Sequence, residues 1–91
     1  MFVDTHCHLT MLDLSPYDGD LDAAIAQSRQ AGVSKIMGIS VDLDDHIALS
    51  KIAARHADVG YSVGVHPCEN AENMARATTE QLIALAQADK V

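Results

Sequence analysis

Two histidines and an aspartate alternate along the first nine residues, MFVDTHCHL. If residues 2–9 form a strand, successive side chains point to opposite faces of the sheet, so Asp4, His6 and His8 share one face. Two imidazoles at this spacing can bind one cation, and neutral imidazole is a good ligand for Zn²⁺, Mn²⁺ or Fe²⁺. The pattern predicts a metal site with His6 and His8 as ligands and Asp4 as a supporting residue that orients a ligand ring or helps to hold the ion.

A His-x-His tripeptide is weak evidence by itself, because surface pairs of histidines occur by chance. Asp4 strengthens the metal hypothesis, because a buried carboxylate and two imidazoles need polar partners. Cys7 lies between the histidines but is predicted to point to the other face, toward the helices, and we exclude it as a ligand. Two histidines leave the coordination incomplete, so carboxylates or further histidines from later strands are expected to complete it.

Apolar strand patterns alternate with helical patterns along the rest of the chain. Strands are predicted at 2–9, 34–41 and 59–65, helices at 20–31, 43–57 and 78–90, and a loop at 68–77. The helix ends carry suitable residues, namely Gly32 after the first helix, Asp42 before the second, and Thr78 with Gln81 as a capping box at the third. This β-α-β-α-β-α order predicts the α/β class, with right-handed crossovers and a parallel sheet.

The predicted elements belong to one domain, without an internal repeat, a low-complexity tract or a linker. Three βα units leave both edges of a parallel sheet open, and a fourth strand is expected to begin at Val91. We therefore expect residues 1–91 to be the incomplete N-terminal portion of a larger domain. Its missing strands would come from further sequence or from a partner copy.

A third histidine, His66, is expected near the first two. It follows the third predicted strand and precedes Pro67, which cannot continue the strand hydrogen bonds. The C-terminal ends of parallel strands meet at one edge, so His66, His6 and His8 can face one cleft. Active sites lie at that edge both in (β/α)₈ barrels and in open doubly wound sheets. The histidine positions are compatible with either architecture. Taken alone, a histidine before proline more often caps a loop.

The remaining histidines and the acidic cluster have simpler explanations. His46 and His56 lie in the second predicted helix and are expected to be solvated or hydrogen-bonded surface groups. The three aspartates at positions 42, 44 and 45 are expected to stabilise the N-terminus of that helix through its dipole.

Charge and cysteine content narrow the functional classes. The 91 residues include 13 acidic and 6 basic side chains, a formal charge of −7, which argues against nucleic-acid binding through a basic surface. Bound divalent cations would reverse the field locally, so an anionic substrate is compatible with this charge. The sequence shows no signal-peptide pattern and no membrane-spanning apolar run. Cys7 and Cys68 form no Cys-x-x-Cys pair, and we predict a cytoplasmic protein with free thiols and no membrane partner.

The segment FVDTHCHL, followed about sixty residues later by VGVHP, resembles the TatD-like metal-dependent hydrolases, often called TatD deoxyribonucleases. The resemblance covers the whole chain, and the two motifs at this separation are specific. Asp-x-His-x-His alone also occurs in other amidohydrolases and in phosphoesterases of the polymerase-and-histidinol-phosphatase type. The resemblance implies that residues 1–91 are the first three βα repeats of a TIM (β/α)₈ barrel that binds one or two divalent cations, zinc, magnesium or manganese.

The resemblance also implies residue roles. His6 and His8 match first-strand metal ligands, His66 matches a histidine that contacts the substrate phosphate, and Asp4 matches a supporting aspartate. The family's bridging glutamate, its later ligand histidines and its last-strand aspartate would all fall after residue 91, so no catalytic residue is implied within this chain. Cys68 stands where many members have a second histidine, and no role is carried over to it.

The leading hypothesis is a divalent-metal-dependent hydrolase that cleaves phosphodiester bonds with a metal-activated water, with DNA ends as the favoured substrate. In this hypothesis the longer parent protein is the enzyme, and residues 1–91 alone bind metal poorly and are inactive. An amidohydrolase or a phosphomonoesterase with the same first-strand ligands is the enzymatic alternative. A truncated barrel that acts as an assembly module is the non-catalytic alternative.

Overall fold

The computed structural model describes residues 1–67 and 69–91. Their strands form a parallel sheet in the order β1-β2-β3, with β1 at Phe2–Cys7, β2 at Val33–Gly38 and β3 at Val59–Tyr61. The helices are α1 at Leu21–Gln30, α2 at Leu43–Arg55, α3 at Ala71–Arg76 and α4 at Thr79–Leu85. The predicted α/β fold with parallel βα units is confirmed. Within the described ranges, every helix is too short or too polar to cross a lipid bilayer.

The capping residues set the helix ends largely as predicted. The Asp20 carboxylate accepts hydrogen bonds from two amides of the first turn of α1, and Gly32, with φ of 101°, follows the end of that helix. Asp42 caps α2 through its side chain. Thr78 and Gln81 form the reciprocal capping box at the start of α4.

The core lies between the helices and one face of the sheet. Ile25 of α1, Leu49 of α2 and Val59 of β3 are almost completely buried. The same cluster continues through Leu9, Ile36, Ile52, Ala53 and Tyr61. Burial of these side chains holds both helices on the sheet, because removal of apolar area from water is the main stabilising contribution to folding.

The opposite face of the sheet is left uncovered by the described residues. Along β2, Ile36 packs in the core, whereas Lys35 and Met37 alternate to the other side and are exposed. Together with Val3 and Thr5 of β1 they line an open groove of about 370 Å³. Parallel sheets normally bury both faces, so an exposed face of this kind is unusual for a parallel sheet.

The segment after β3 departs most from the sequence prediction. The predicted loop at 68–77 contains α3, and predicting no helix there was wrong. Alanine, glutamate, methionine and arginine are good helix formers, and Arg76 in the last turn pairs with Asp44 of α2 at 3.2 Å. Strand β3 ends at residue 61 instead of 65, and α4 ends at residue 85 instead of 90.

The chain after α4 returns to the edge of β3. Tyr61 N donates a hydrogen bond to Lys90 O at 3.0 Å. The Lys90 ammonium donates to Ala53 O and, at 2.6 Å, to His56 O, both at the C-terminal end of α2. A cation is favourable there because helix C-terminal carbonyls carry partial negative charge. The main chain thus runs beside β3 where the sequence predicts a fourth strand to begin.

Candidate metal centre

His6 and His8 lie at the C-terminal end of β1 with their imidazole rings in contact. The ring centroids are 5.1 Å apart and the ring planes meet at 82°. Two imidazoles that share one ion, with metal–nitrogen bonds and angles of a tetrahedral zinc site, have centroids about 5 Å apart. The separation of the two rings therefore suits a shared cation.

A nitrogen of His8 supplies the second observation. His8 Nδ1 is buried and makes no hydrogen bond to any part of the chain that the structure describes. A buried polar atom without a partner costs about 1–3 kcal/mol. Two rings in an ordinary edge-to-face contact have the same centroid separation, so this distance does not distinguish a metal site from ring packing. The unpartnered Nδ1 is therefore the stronger evidence that a further polar group binds at His8. Imidazole nitrogens suit several divalent transition metals, and the two residues fit part of such a site.

The described residues do not complete the site. Within residues 1–67 and 69–91, no group of three or more His, Cys, Asp or Glu side chains is placed to hold an ion together. Zinc in proteins takes four ligands. An ion held by His6 and His8 therefore needs further ligands from other protein segments, from water or from substrate.

Asp4 is placed differently from the sequence prediction, because β1 is bulged. The strand pairs with β2 at Asp4 and again at Cys7, but three steps along β1 match two along β2. Such an extra residue breaks the alternation of faces, and Asp4 and Cys7 border the same small cleft beside α1. The predictions that they point to opposite faces and that Asp4 is buried were wrong. Exposed Asp4 contacts the histidine segment through Oδ1, which accepts a hydrogen bond from His6 N at 3.1 Å.

Cys7 packs against the core, as predicted. Burial raises the pKa of its thiol, and the nearby Asp4 carboxylate adds to the shift. Because the thiolate is the form that binds metals, both effects disfavour Cys7 as a ligand. The thiol is free, whereas Cys68 lies outside the described residues.

His66 follows β3 at the same edge of the sheet as His6 and His8, because β1 and β3 run parallel. Its side chain is exposed. Its amide donates a hydrogen bond to Val41 O at 2.7 Å, which connects the segment after β3 to the connection between β2 and α2.

An aspartate whose role the sequence did not reveal joins two of these segments. One oxygen of Asp45 accepts a hydrogen bond from Val41 N at 2.9 Å, and the other accepts one from the hydroxyl of Thr10. Thr10 lies in a 3₁₀ turn, Leu9–Met11, directly after His8. Asp45 thus does more than supply charge to the N-terminus of α2, because it fastens the turn after the histidine pair to that helix.

His46 and His56 are buried, at 4% and 9% exposure, and the prediction that they are surface groups was wrong. The Nδ1 proton of His46 is donated to Ser62 O at 2.9 Å, and its ring lies 5.1 Å from that of Tyr61. The spacing of these two histidines in the sequence indicates their burial. Residues 46, 49, 53 and 56 lie on one face of a helix, and that face is apolar at 49 and 53.

His56 belongs to a charged cluster at the other end of the sheet. Its Nε2 donates to Asp22 at 2.6 Å, and its Nδ1 accepts from Arg29 at 2.8 Å, since a guanidinium can only donate. Arg29 also bonds both carboxylate oxygens of Asp58, which lowers the pKa of Asp58 to about 2. Hydrogen bonds to Asp22 lower the pKa of its carboxyl group, and the bond from His56 has a larger effect than the bond from Arg55.

Comparisons with known proteins agree with this architecture. The family model described as TatD related DNase matches residues 3–91. The chain is 32% identical over 66 residues to the uncharacterized metal-dependent hydrolase YjjV of Escherichia coli (strain K12), and 29% identical over 65 residues to the uncharacterized metal-dependent hydrolase YcfH of that organism. These matches cover 72% and 71% of the chain but 24% of each relative, so the chain spans about a quarter of their length. The chain belongs to the TatD-related DNase family.

Proposed function

We propose that this chain supplies the N-terminal, metal-binding part of a hydrolase that cleaves phosphodiester bonds in DNA. Family membership supports the class of enzyme, and both relatives are named as metal-dependent hydrolases. The observation that carries the proposal is the contact between the His6 and His8 rings next to the buried, unpartnered Nδ1 of His8.

Each candidate residue has a distinct role in this proposal. His6 and His8 hold a divalent cation (zinc, magnesium or manganese), Asp4 fixes the main chain of His6, and His66 contacts the substrate phosphate. When bound, the cation supplies an activated water near neutral pH and electrostatic stabilisation of the phosphoryl group. A chain with a formal charge of −7 repels a polyanion, so substrate capture depends on the cation and His66 instead of a basic surface.

The remaining barrel strands belong, in this proposal, to the rest of a cytoplasmic protein or to a partner copy. Two observations support this assignment. The sheet face with Val3 and Met37 is open, and the chain at Lys90 already lies along the edge of β3. Residues 1–91 alone would then be inactive, because the cation would lack ligands.

The test compares substrates and metals in the full-length protein. A single-stranded DNA oligonucleotide, a phosphomonoester and a cyclic amide are each assayed with Zn²⁺, Mg²⁺ or Mn²⁺ and again with a chelator. We expect chelator-sensitive cleavage of DNA that is lost in His6→Ala and in His8→Ala but kept in Ser50→Ala. Cleavage of the amide or the monoester alone would favour the alternative hydrolases, and absence of all three activities would favour a non-catalytic module.

A further inference from the structure

The segment of residues 62–66 carries His66 and continues past the end of β3. Main-chain hydrogen bonds hold its two ends. Ser62 N donates to Gly38 O at 2.9 Å, and His66 N donates to Val41 O at 2.7 Å. Gly38 ends β2 and Val41 lies in the connection between β2 and α2. The position of His66 therefore depends on the hydrogen bonds between that connection and the 62–66 segment.

Residues of this connection and of α2 make three further hydrogen bonds to the 62–66 segment. Ser40 N donates to Ser62 Oγ at 2.9 Å, and Ser40 Oγ donates to Gly64 O at 3.0 Å. His46 Nδ1 donates to Ser62 O at 2.9 Å. We name the three side chains of Ser40, His46 and Ser62 the brace.

Two of the three residues of the brace are buried, which makes their hydrogen bonds difficult to replace. Ser40 and His46 are almost inaccessible to water, and Ser62 is half-buried. Lost hydrogen bonds at such positions are not readily replaced by bonds to solvent. The Ser40 hydroxyl also donates to Asp42 O at 2.8 Å, so its one proton is shared between Asp42 O and Gly64 O and links the 62–66 segment to the cap of α2. The carbonyl of Ser62 can only accept, which fixes the proton of His46 on Nδ1.

We propose that Ser40 and His46 are positioning residues for His66. Their hydrogen bonds fix the position of the His66 main chain at the edge of the sheet where the substrate phosphate binds. The inference rests on the proposed function, in which His66 contacts that phosphate. Neither residue touches substrate, and both act through the 62–66 segment. Their removal weakens substrate binding and leaves the chemical step largely intact.

The first test does not depend on any reaction. Amide hydrogen exchange is measured by NMR in the protein and in its Ser40→Ala and Ser62→Ala variants. We expect the His66 amide to exchange about three to ten times faster in both variants, which corresponds to the loss of one hydrogen bond. Ser50→Ala is the matched control, because Ser50 Oγ donates to Ile47 O within α2 and should leave His66 unchanged. Unchanged exchange at His66 in both brace variants would overturn the inference.

The second test is kinetic and uses the metal-loaded full-length protein with a small phosphodiester. We expect Ser40→Ala and His46→Gln to raise KM about three- to tenfold with little change in kcat. In a His66→Ala background, Ser40→Ala should add nothing, since it acts only through His66. An equal effect of Ser40→Ala in both backgrounds would reject the positioning role. Faster exchange at His66 in a protein that hydrolyses no phosphodiester would reject the proposed function while supporting that role.

Discussion

Replacement of Gly38 by alanine is expected to destabilise the protein, because the interface between β2 and α2 has no room for a methyl group. A Cβ at this position would lie 2.8 Å from Leu49 Cδ2 and 3.5 Å from Leu9 Cδ1. Leu49 is 0% exposed and Leu9 is 3% exposed, so neither side chain can move into solvent. The core must therefore shift or adopt strained rotamers.

The expected cost is about 1–2 kcal/mol of unfolding free energy. Carbon atoms in contact lie about 3.5–4.0 Å apart, so the new methyl overlaps Leu49 by roughly 1 Å. A methyl forced into a packed core costs about 1–3 kcal/mol. A glycine-to-alanine change returns about 0.4–1 kcal/mol by lowering the entropy of the unfolded chain. Gly38 lies outside the left-handed region, so no backbone strain adds to the cost.

Urea and thermal unfolding followed by circular dichroism measure this loss, and Gly64→Ala is the control. Apart from Gly64 itself and its two chain neighbours, no described residue has an atom within 4 Å of a Cβ at Gly64, and its φ is also outside the left-handed region. We expect the control to be unchanged or more stable by up to about 1 kcal/mol. The Tm of Gly38→Ala should fall by about 5–15 °C in a domain of this size.

A second substitution separates the steric overlap from other effects. Leu49→Val removes the overlapping δ-carbons, so its cost in the Gly38→Ala background should be smaller than in the wild type by about 1 kcal/mol. Wild-type stability of Gly38→Ala, or strict additivity of the two substitutions, would refute the packing of α2 on β2 described above.

Three further predictions concern stability. Asp58→Asn should cost about 1 kcal/mol at pH 7 after allowance for solvent screening. Arg29 lowers the folded-state pKa of Asp58 from 3.8 to about 2, so this contribution is complete above about pH 4 and is lost as the pH falls toward 2. Urea titrations of wild type and variant should converge in acid, and a constant difference would contradict this. Lys90→Met removes the cation that caps α2 and should cost about 1–2 kcal/mol in the same assay. Thr78→Ala breaks the capping box of α4, and an unfolding free energy that does not fall by about 1 kcal/mol would argue against that box.

Local features of the chain could be predicted from sequence, because short-range chemistry sets them. Asp42 and the Thr78–Gln81 pair satisfy amides within their own helix turns, so their roles do not depend on the rest of the fold. The alternation of strand and helix patterns likewise specifies the parallel sheet. The types and positions of the two histidines pointed to one end of β1, and the structure brings their rings together.

Two features that depend on contacts between elements were not predicted. The bulge between Asp4 and Cys7 arises from the register of β1 against β2, which regular alternation does not encode. Burial of His46 and His56 depends on partners that are 16 and 34 residues away along the chain. Their polarity favoured a surface location in the sequence analysis, although their helical spacing with the apolar residues 49 and 53 indicated the core.

The most direct test of the metal centre is NMR of the histidine ring nitrogens during titration of the metal-free full-length protein with Zn²⁺. We predict that the rings of His6 and His8 respond with one shared dissociation constant and that His6→Ala abolishes the response of His8 over the same range. The buried rings of His46 and His56 should not respond. Separate constants for the two rings, or a response of His8 that survives His6→Ala, would contradict the claim that both imidazoles bind one cation.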